Sequence, residues 1–449
     1  MTSANTIDHN PITEGVIWKQ ILVFFFPIMI GTLFQQLYNT VDAIIVGRFV
    51  GKEALAGIGG NGTVLTNLII GCFTGLSSGA TVIISQFYGA KDKENLHKSL
   101  HTAYALSIVV SFILSIAGWF ITPWILTVMK TPVDVLPDSI TYMRIYFIGL
   151  IATLVYNMGS AIMRAIGDSK RPLYYLIFCC LLNIVLDLLF VLVFRMGIAG
   201  AAIATVVSQG ISAILVTRAL MYKYTDIKLV LRRIRFDRFK LKSEVRIGLP
   251  SAIQACIYSV SNIIIQTAVN GLGTDTAAAW GAGWKLDAAF WTVCSAFGIS
   301  MATFAGQNYG AGKNERVIKS VRVCMLMSLF ICGLMQVILV VFSRPLFGIF
   351  TTDQNVIEIG VYFYLRLVPA YSLYVINEIL TSALRGVGDV FIPTLIALGG
   401  VGLVRLPWIL ILSPIYQTID VPLSSYVVSW GVTMALLLPY YLYRRKKLS

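Results

Sequence analysis

Gln35-Gln36-Leu37-Tyr38-Asn39-Thr40-Val41-Asp42 ends on an acid inside a run, Ile17 to Val46, that carries no other charge after Lys19. A run of that length crosses a bilayer as a single helix, which needs about 20 mostly apolar residues. On such a helix Gln35, Tyr38 and Asn39 share one face with Asp42. A carboxylate near the middle of a membrane costs about 3 kcal/mol on insertion scales, so it normally faces a protein-lined or watery interior. Asp42 is therefore a candidate coupling site for an ion in a membrane-spanning transporter.

The rest of the 449-residue chain has the same character. It is 57% hydrophobic and only 12% charged, with a mean hydropathy of +0.79. Soluble domains carry about 25% charged residues, so the totals describe a polytopic membrane protein. The first fifteen residues are polar and lack Lys and Arg, unlike the basic start of a secretory signal, so the first helix is expected to remain as an anchor. Cys72, Cys179, Cys180, Cys256, Cys294, Cys324 and Cys332 all lie in apolar stretches without metal-ligand spacing and read as small buried hydrophobes. His9, His97 and His101 lie in the N-terminal tail or around a predicted loop, which disfavours a histidine proton relay.

Twelve apolar segments are long enough to span: 17–46, 54–86, 99–126, 138–163, 173–194, 198–217, 247–270, 276–305, 323–349, 355–384, 391–413 and 423–443. The net charge of +14 is distributed by side. Placing the N-terminus in the cytoplasm puts Lys91, Lys93, Lys98, Arg164, Lys170 and Arg171 inside. The basic link from Arg218 to Arg246, the Lys313–Arg322 group, Arg385 and the Arg444–Lys447 tail fall there too. The outer connections hold only Arg48, Lys52, Lys130, Arg195 and Arg344. That asymmetry follows the positive-inside rule and predicts a multi-pass cell-membrane protein with both termini cytoplasmic. The basic link then lies against anionic lipid, and no nucleic-acid partner is implied.

The two halves repeat. Gln86, Tyr88, Gly89 and Ala90 recur as Gln307, Tyr309, Gly310 and Ala311. Arg164, Gly167, Asp168 and Pro172 recur as Arg385, Gly388, Asp389 and Pro393, and Val206, Val207, Ser208 and Gly210 as Val427, Val428, Ser429 and Gly431, always 221 residues on. Pro27 and Asn39 pair with Pro250 and Asn262 two residues further out. Six spans per half is an even number, so the halves share one topology and are related by an axis along the membrane normal. The predicted fold is an all-α membrane protein of twelve transmembrane helices in two six-helix bundles related by that pseudo-twofold. Its parts are an N-lobe (1–222), a basic cytoplasmic linker (223–243) and a C-lobe (244–449).

The repeat also isolates function. Asp42, Asn183, Asp187 (one helix face with Asn183) and Thr205 have as counterparts Ile265, Val404, Trp408 and Tyr426. Packing positions are duplicated; these polar ones are not, apart from a tyrosine hydroxyl. On this reading the acid groups that matter are confined to one lobe.

The doubled twelve-span layout, Gln35-x-x-Tyr38-Asn39-x-x-Asp42, Asn183-x-x-x-Asp187 followed by Thr205, and the two Arg-x-x-Gly-Asp-x-x-x-Pro loops together make the chain similar to the multidrug and toxic compound extrusion (MATE) family over nearly its whole length. The resemblance implies cation-coupled export of bulky, cationic or amphiphilic compounds. It also implies H⁺ or Na⁺ binding at Asp42, Asn183, Asp187 and Thr205. Some members place a glutamate in span seven, where this chain has none between Gln254 and Asn262. Glu378 in span ten, whose repeat mate is Asn157, is similar to the span-ten acid of those members and is a possible C-lobe acid.

Two carboxylates that approach in a dry interior cannot easily both stay charged, so Asp42 and Asp187 would together hold a proton. Two carboxylates, an amide oxygen and a hydroxyl equally suit Na⁺; both ions remain open, and no cofactor beyond the coupling ion is implied. The substrate cleft is expected to include Gln35, Tyr38, Asn39, Asn157 and Gln209. Trp284 and Trp291 read as core packing or lipid contact, and Lys285 and Asp287 as helix ends or mutual screening. Arg144, Arg366 and Arg405 either snorkel or counter a carboxylate. Asp168 and Asp389, present in both halves, read as turn and gate structure. Pro27 removes a backbone donor inside span one and is the expected hinge. A monomer suffices mechanically. The rival reading, a flippase for a lipid-linked saccharide of the same superfamily, would want a basic cleft. A membrane enzyme would need clustered acidic metal motifs, and ATP as direct driver would need a phosphate-binding loop; neither pattern is present.

Overall fold

A computed structural model describes residues 10–51, 54, 61–224 and 227–448. The start of the second predicted span, Lys52, His9 and parts of the predicted N-lobe and linker lie outside those residues. Among the described residues twelve helices are long and apolar enough to cross a membrane. They are α1 (Ile17–Phe49), α2 (Asn61–Gly89), α3 (Lys93–Val128), α4 (Leu136–Ala165), α5 (Lys170–Val193) and α6 (Gly197–Tyr222). The second set is α7 (Arg238–Asn270), α8 (Thr274–Gly310), α9 (Asn314–Val341), α10 (Gln354–Gly386), α11 (Phe391–Tyr416) and α12 (Asp420–Leu448).

The helices fall into two compact units, and their boundary differs from a simple cut in the linker. One unit runs from Phe26 to Leu249; the other comprises Pro250 to Ser449 together with Pro11–Phe25. Thus α1 changes unit just before Pro27, and α7 changes unit at Pro250, the repeat mate of Pro27. Proline lacks the N–H that would tie it to the preceding turn, so both helices have a natural point at which to part company with their first turns. The basic link belongs to the first unit: Ile227 and Leu229 are buried, the Val230 N–H donates to His101 Nε2 (3.1 Å), and the Asp237 N–H donates to Thr102 Oγ1 (3.1 Å).

In the first unit α4 is central, packed on α6, α3 and α2. Its Met143, Leu150, Leu154, Met158 and Ile162 recur at helical spacing and are fully buried. Gly79 on α2 lets the α7 backbone approach so closely that any side chain would collide with the Glu244 carbonyl oxygen. In the second unit α8 carries a buried stripe of its own, Phe290, Phe297, Met301 and Phe304, against α10 and α9. The start of α1 joins this stripe, Phe25 stacking on Phe297 at 4.1 Å and Phe24 meeting Phe304 edge-on. Arg316 donates to the carbonyls of Ile12 (3.1 Å) and Gly15, and Lys313 to that of Thr13 (3.1 Å), which fixes the segment leading into α1.

The duplicated loops have duplicated geometry. Gly167 and Gly388 both take positive φ (93° and 87°), and Asp168 accepts from Tyr224 just after α6 (2.7 Å) as Asp389 does from Tyr440 on α12 (2.6 Å). Asp168 also takes the Arg171 guanidinium (2.8 Å) and Asp389 that of Arg444 (2.7 Å). Cys179, Cys180, Cys294, Cys324 and Cys332 are buried free thiols; Cys72 and Cys256 are only partly buried, so that expectation does not extend to them.

Candidate functional site

The acid of α1 and the polar groups of α5 and α6 converge inside the first unit. Asp42 is 5% exposed and Asp187 0%. Asp187 is the last α-helical residue of α5, which continues as a π-helical turn from Leu188 to Val193. The Asn183 amide, one turn before, donates from its nitrogen to Asp187 Oδ2 (2.9 Å) and accepts at its oxygen from the Thr205 N–H (3.3 Å) in the orientation that satisfies both groups. Tyr38, one turn before Asp42, donates its hydroxyl to Thr205 Oγ1 at 3.4 Å. Asp42 and Asp187 lie close enough to act on each other electrostatically, and both act on Tyr38 and Tyr142.

Two oxygens in this group are orphans. Asp42 Oδ1 and Asp187 Oδ1 are enclosed without a hydrogen-bond partner. Buried polar atoms are satisfied in the great majority of cases, so each such atom needs a reason. Two unpartnered carboxylate oxygens beside an amide and a hydroxyl are a set of hard donors that a proton or a small cation satisfies.

The other expected residues divide. Gln35 and Asn39 are exposed and make no side-chain hydrogen bond among the described residues, so of the α1 face only Tyr38 and Asp42 turn into the unit. Gln35 shares the angular face of Asp42 and sits two turns, about 10 Å, along the axis, where α5 still meets α1 through the Cys180 thiol and the Phe34 carbonyl, yet its side chain stays exposed. Asn157 on α4 and Gln209 on α6 are half-buried, Gln209 with its Oε1 enclosed and unpartnered. Glu378 on α10 accepts from Ser382 Oγ (3.2 Å) and the Tyr374 hydroxyl (3.4 Å), at a place where Gly298 of α8 leaves room for it. With Gln254, Tyr258, Asn377 and Arg405 it lines a cavity of about 30 Å³, room for a water molecule or two.

Arg405 neither snorkels nor pairs with an acid. Its guanidinium donates to Ser429 Oγ (3.0 and 2.8 Å) and lies 4.3 Å over the Tyr426 ring. Arg144 sits over Trp119 (5.1 Å), and Arg366 pairs with Asp420 (3.0 Å). Trp284 and Trp291 stack within α8, and Trp291 packs on Tyr371. The reading of Asp287 as a helix end or a screen for Lys285 is corrected. It sits mid-helix, 2% exposed, bonded to two tyrosines, while Lys285 points at Phe350. Acids are therefore not confined to one unit. The sequence also concealed Glu244, whose buried carboxylate has no partner, and Tyr142, whose i, i+4 pairing with Tyr146 on α4 was its one visible signal.

Twelve membrane-length helices in two units, with buried acids turned inward, define a polytopic membrane transporter. The MatE family model matches residues 27–189 and 250–411, and the chain belongs to that family. It is 29% identical to the "Probable multidrug resistance protein YpnP" of Bacillus subtilis, over 84% of both chains, and 28% identical to the "Probable multidrug resistance protein YoeA" of the same organism, over 96% of this chain and 95% of that one. Its fold is similar to that of a MOP superfamily transporter from Pyrococcus furiosus, with a TM-score of 0.90 at 21% identity, covering 100% of this chain and 99% of the other. The protein is thus a membrane-embedded secondary transporter of small-molecule substrates.

Proposed function

We propose that the chain is a secondary active multidrug exporter that exchanges H⁺ or Na⁺ for bulky cationic or amphiphilic compounds by alternating access. The observation that carries this reading is the pair of orphaned oxygens on Asp42 and Asp187, held beside Asn183 and Thr205. An ion entering there neutralises Asp42 and removes the charge that attracts a cationic substrate, so substrate leaves as the ion loads. Return of the ion to the cytoplasm restores the attraction. Such exchange works only because each ligand prefers a different conformation.

Tyr38, Gln35, Asn39, Asn157 and Gln209 contribute the polar lining met by the substrate, and Pro27 is the hinge of α1. The change of unit just before Pro27 supports that role. Both termini lie in the cytoplasm, as the charge asymmetry supports. The multidrug-resistance names of the Bacillus relatives agree with export.

Ethidium efflux from vesicles under separately imposed proton and sodium gradients tests the reading and separates the two ions. Asp42→Asn is expected to lower gradient-driven efflux about tenfold or more, in the usual range of coupling free energies. Efflux unchanged in that variant would remove the proposal.

A further inference from the structure

The second unit contains a buried acid that the exchange at Asp42 does not use. Asp287 lies in the middle of α8, and each of its oxygens takes one tyrosine hydroxyl: Tyr364 donates to Oδ1 at 3.0 Å and Tyr371 to Oδ2 at 2.5 Å. Both tyrosines are themselves buried. No Lys or Arg forms an ion pair with Asp287 among the described residues. The groups facing it are Tyr364 on the first part of α10, Tyr371 on the second part and, further off, Tyr426 on α12. Arg405 lies over the Tyr426 and Trp430 rings rather than against the acid.

An ionised carboxylate has about four acceptor positions, and in an interior without a counter-ion two hydroxyl donors compensate it only in part. Tyr364 supplies what the protonated form needs. Its one hydroxyl hydrogen lies within bonding distance of two acceptors, Asp287 Oδ1 at 3.0 Å and the Gly283 carbonyl oxygen at 3.1 Å. With Asp287 ionised, the hydrogen goes to Oδ1. When a proton from the medium forms an O–H bond at Oδ1, that O–H donates to the Tyr364 oxygen and Tyr364 turns its own hydrogen to Gly283. Tyr371 keeps donating to Oδ2. Both charge states then leave no hydroxyl unpaired, with no heavy atom displaced.

We propose that Asp287, with Tyr364 and Gly283, is a proton-binding site of the second unit, separate from the Asp42 group. It bridges a discontinuity, because Tyr364 and Tyr371 stand on either side of the 3₁₀ turn Val368–Ala370 that interrupts α10. Proton uptake exchanges the donor on one side of that turn and leaves the other as it was.

Difference infrared spectroscopy of the purified full chain between low and high pH tests the site without requiring transport. The readout is the C=O stretch of a protonated carboxyl shielded from water. The Asp42→Asn/Asp187→Asn double variant is expected to keep a pH-dependent component from Asp287 beside that of the buried Glu244 carboxyl, and adding Asp287→Asn is expected to remove that component alone. Tyr364→Phe, on the same double-variant background, is expected to move its midpoint by about one pH unit, a tenfold change in proton affinity. If the added Asn variant does not fold, the Tyr364→Phe shift carries the test alone. A spectrum unchanged by adding Asp287→Asn, a midpoint of the Asp287 component indifferent to Tyr364→Phe, or no shielded band in the double variant would each overturn the site. Loss of efflux coupling in the double variant bears only on the Asp42 reading.

Discussion

Asn183 shows how one side chain can hold a charged site in shape. Its amide spans Asp187 Oδ2 and the Thr205 N–H, so it joins the end of α5 to the middle of α6. Asn183→Leu would leave Asp187 with a second unpaired oxygen, and the expected loss is about 1–3 kcal/mol. Asn183→Leu/Asp187→Leu should recover much of that loss, because replacing a buried polar pair together is often close to neutral. Melting curves of the two single variants and the double variant in detergent check the pattern; additive losses would contradict it. Asp42, Asn183, Asp187 and Thr205 were legible because they interrupt apolar runs and, apart from the Tyr426 hydroxyl opposite Thr205, have no polar copy in the other half. Glu244 was not, since in sequence it sits within the basic link and reads as a solvated cytosolic charge. Its burial comes from α2, whose Gly79 admits the α7 backbone. Asp287 was hidden for a related reason: its partners, Tyr364 and Tyr371, are distant in sequence, and Lys285 nearby suggested a simple charge balance.

At the scale of elements, the repeat offers a natural comparison at the turn after α2 and after α8. Lys91 (φ 56°) and Gly312 (φ 70°) occupy the same left-handed position, and the following N–H bonds match, Asp92 to the Phe87 carbonyl (3.0 Å) and Lys313 to that of Asn308 (2.8 Å). A side chain there costs about 1 kcal/mol that glycine avoids. Lys91→Gly is therefore expected to raise the melting temperature, whereas Gly312→Lys should lower it. Gly79→Val tests a different contact: the α2–α7 approach leaves no room for a Cβ, and overpacking of this kind costs about 1–3 kcal/mol. A fully stable Gly79→Val protein would show that the two helices separate freely. The prolines of α1 and α7 were visible as interruptions, but the change of unit beside each was not. Nothing in a continuous apolar helix says which neighbours its first turns choose.

For the whole molecule, the charge asymmetry predicts that a fluorescent protein fused after Ser449 matures and glows in the cytoplasm, while alkaline phosphatase at the same place stays inactive. The reverse pattern would contradict that orientation. The sequence by itself determined the membrane class, the twelve spans, the two-part repeat and the acids of the first half. Each of these rests on hydropathy, periodicity or a comparison of aligned positions, and all of those are local or register properties of the chain. Only the tertiary structure decided that α1 and α7 divide between units, that Gln35 and Asn39 stay exposed while Tyr38 and Asp42 turn inward, and that the second half holds its own buried acid. Those outcomes depend on which helices pack against each face of a segment. That packing joins segments far apart in sequence, so no single segment can report it.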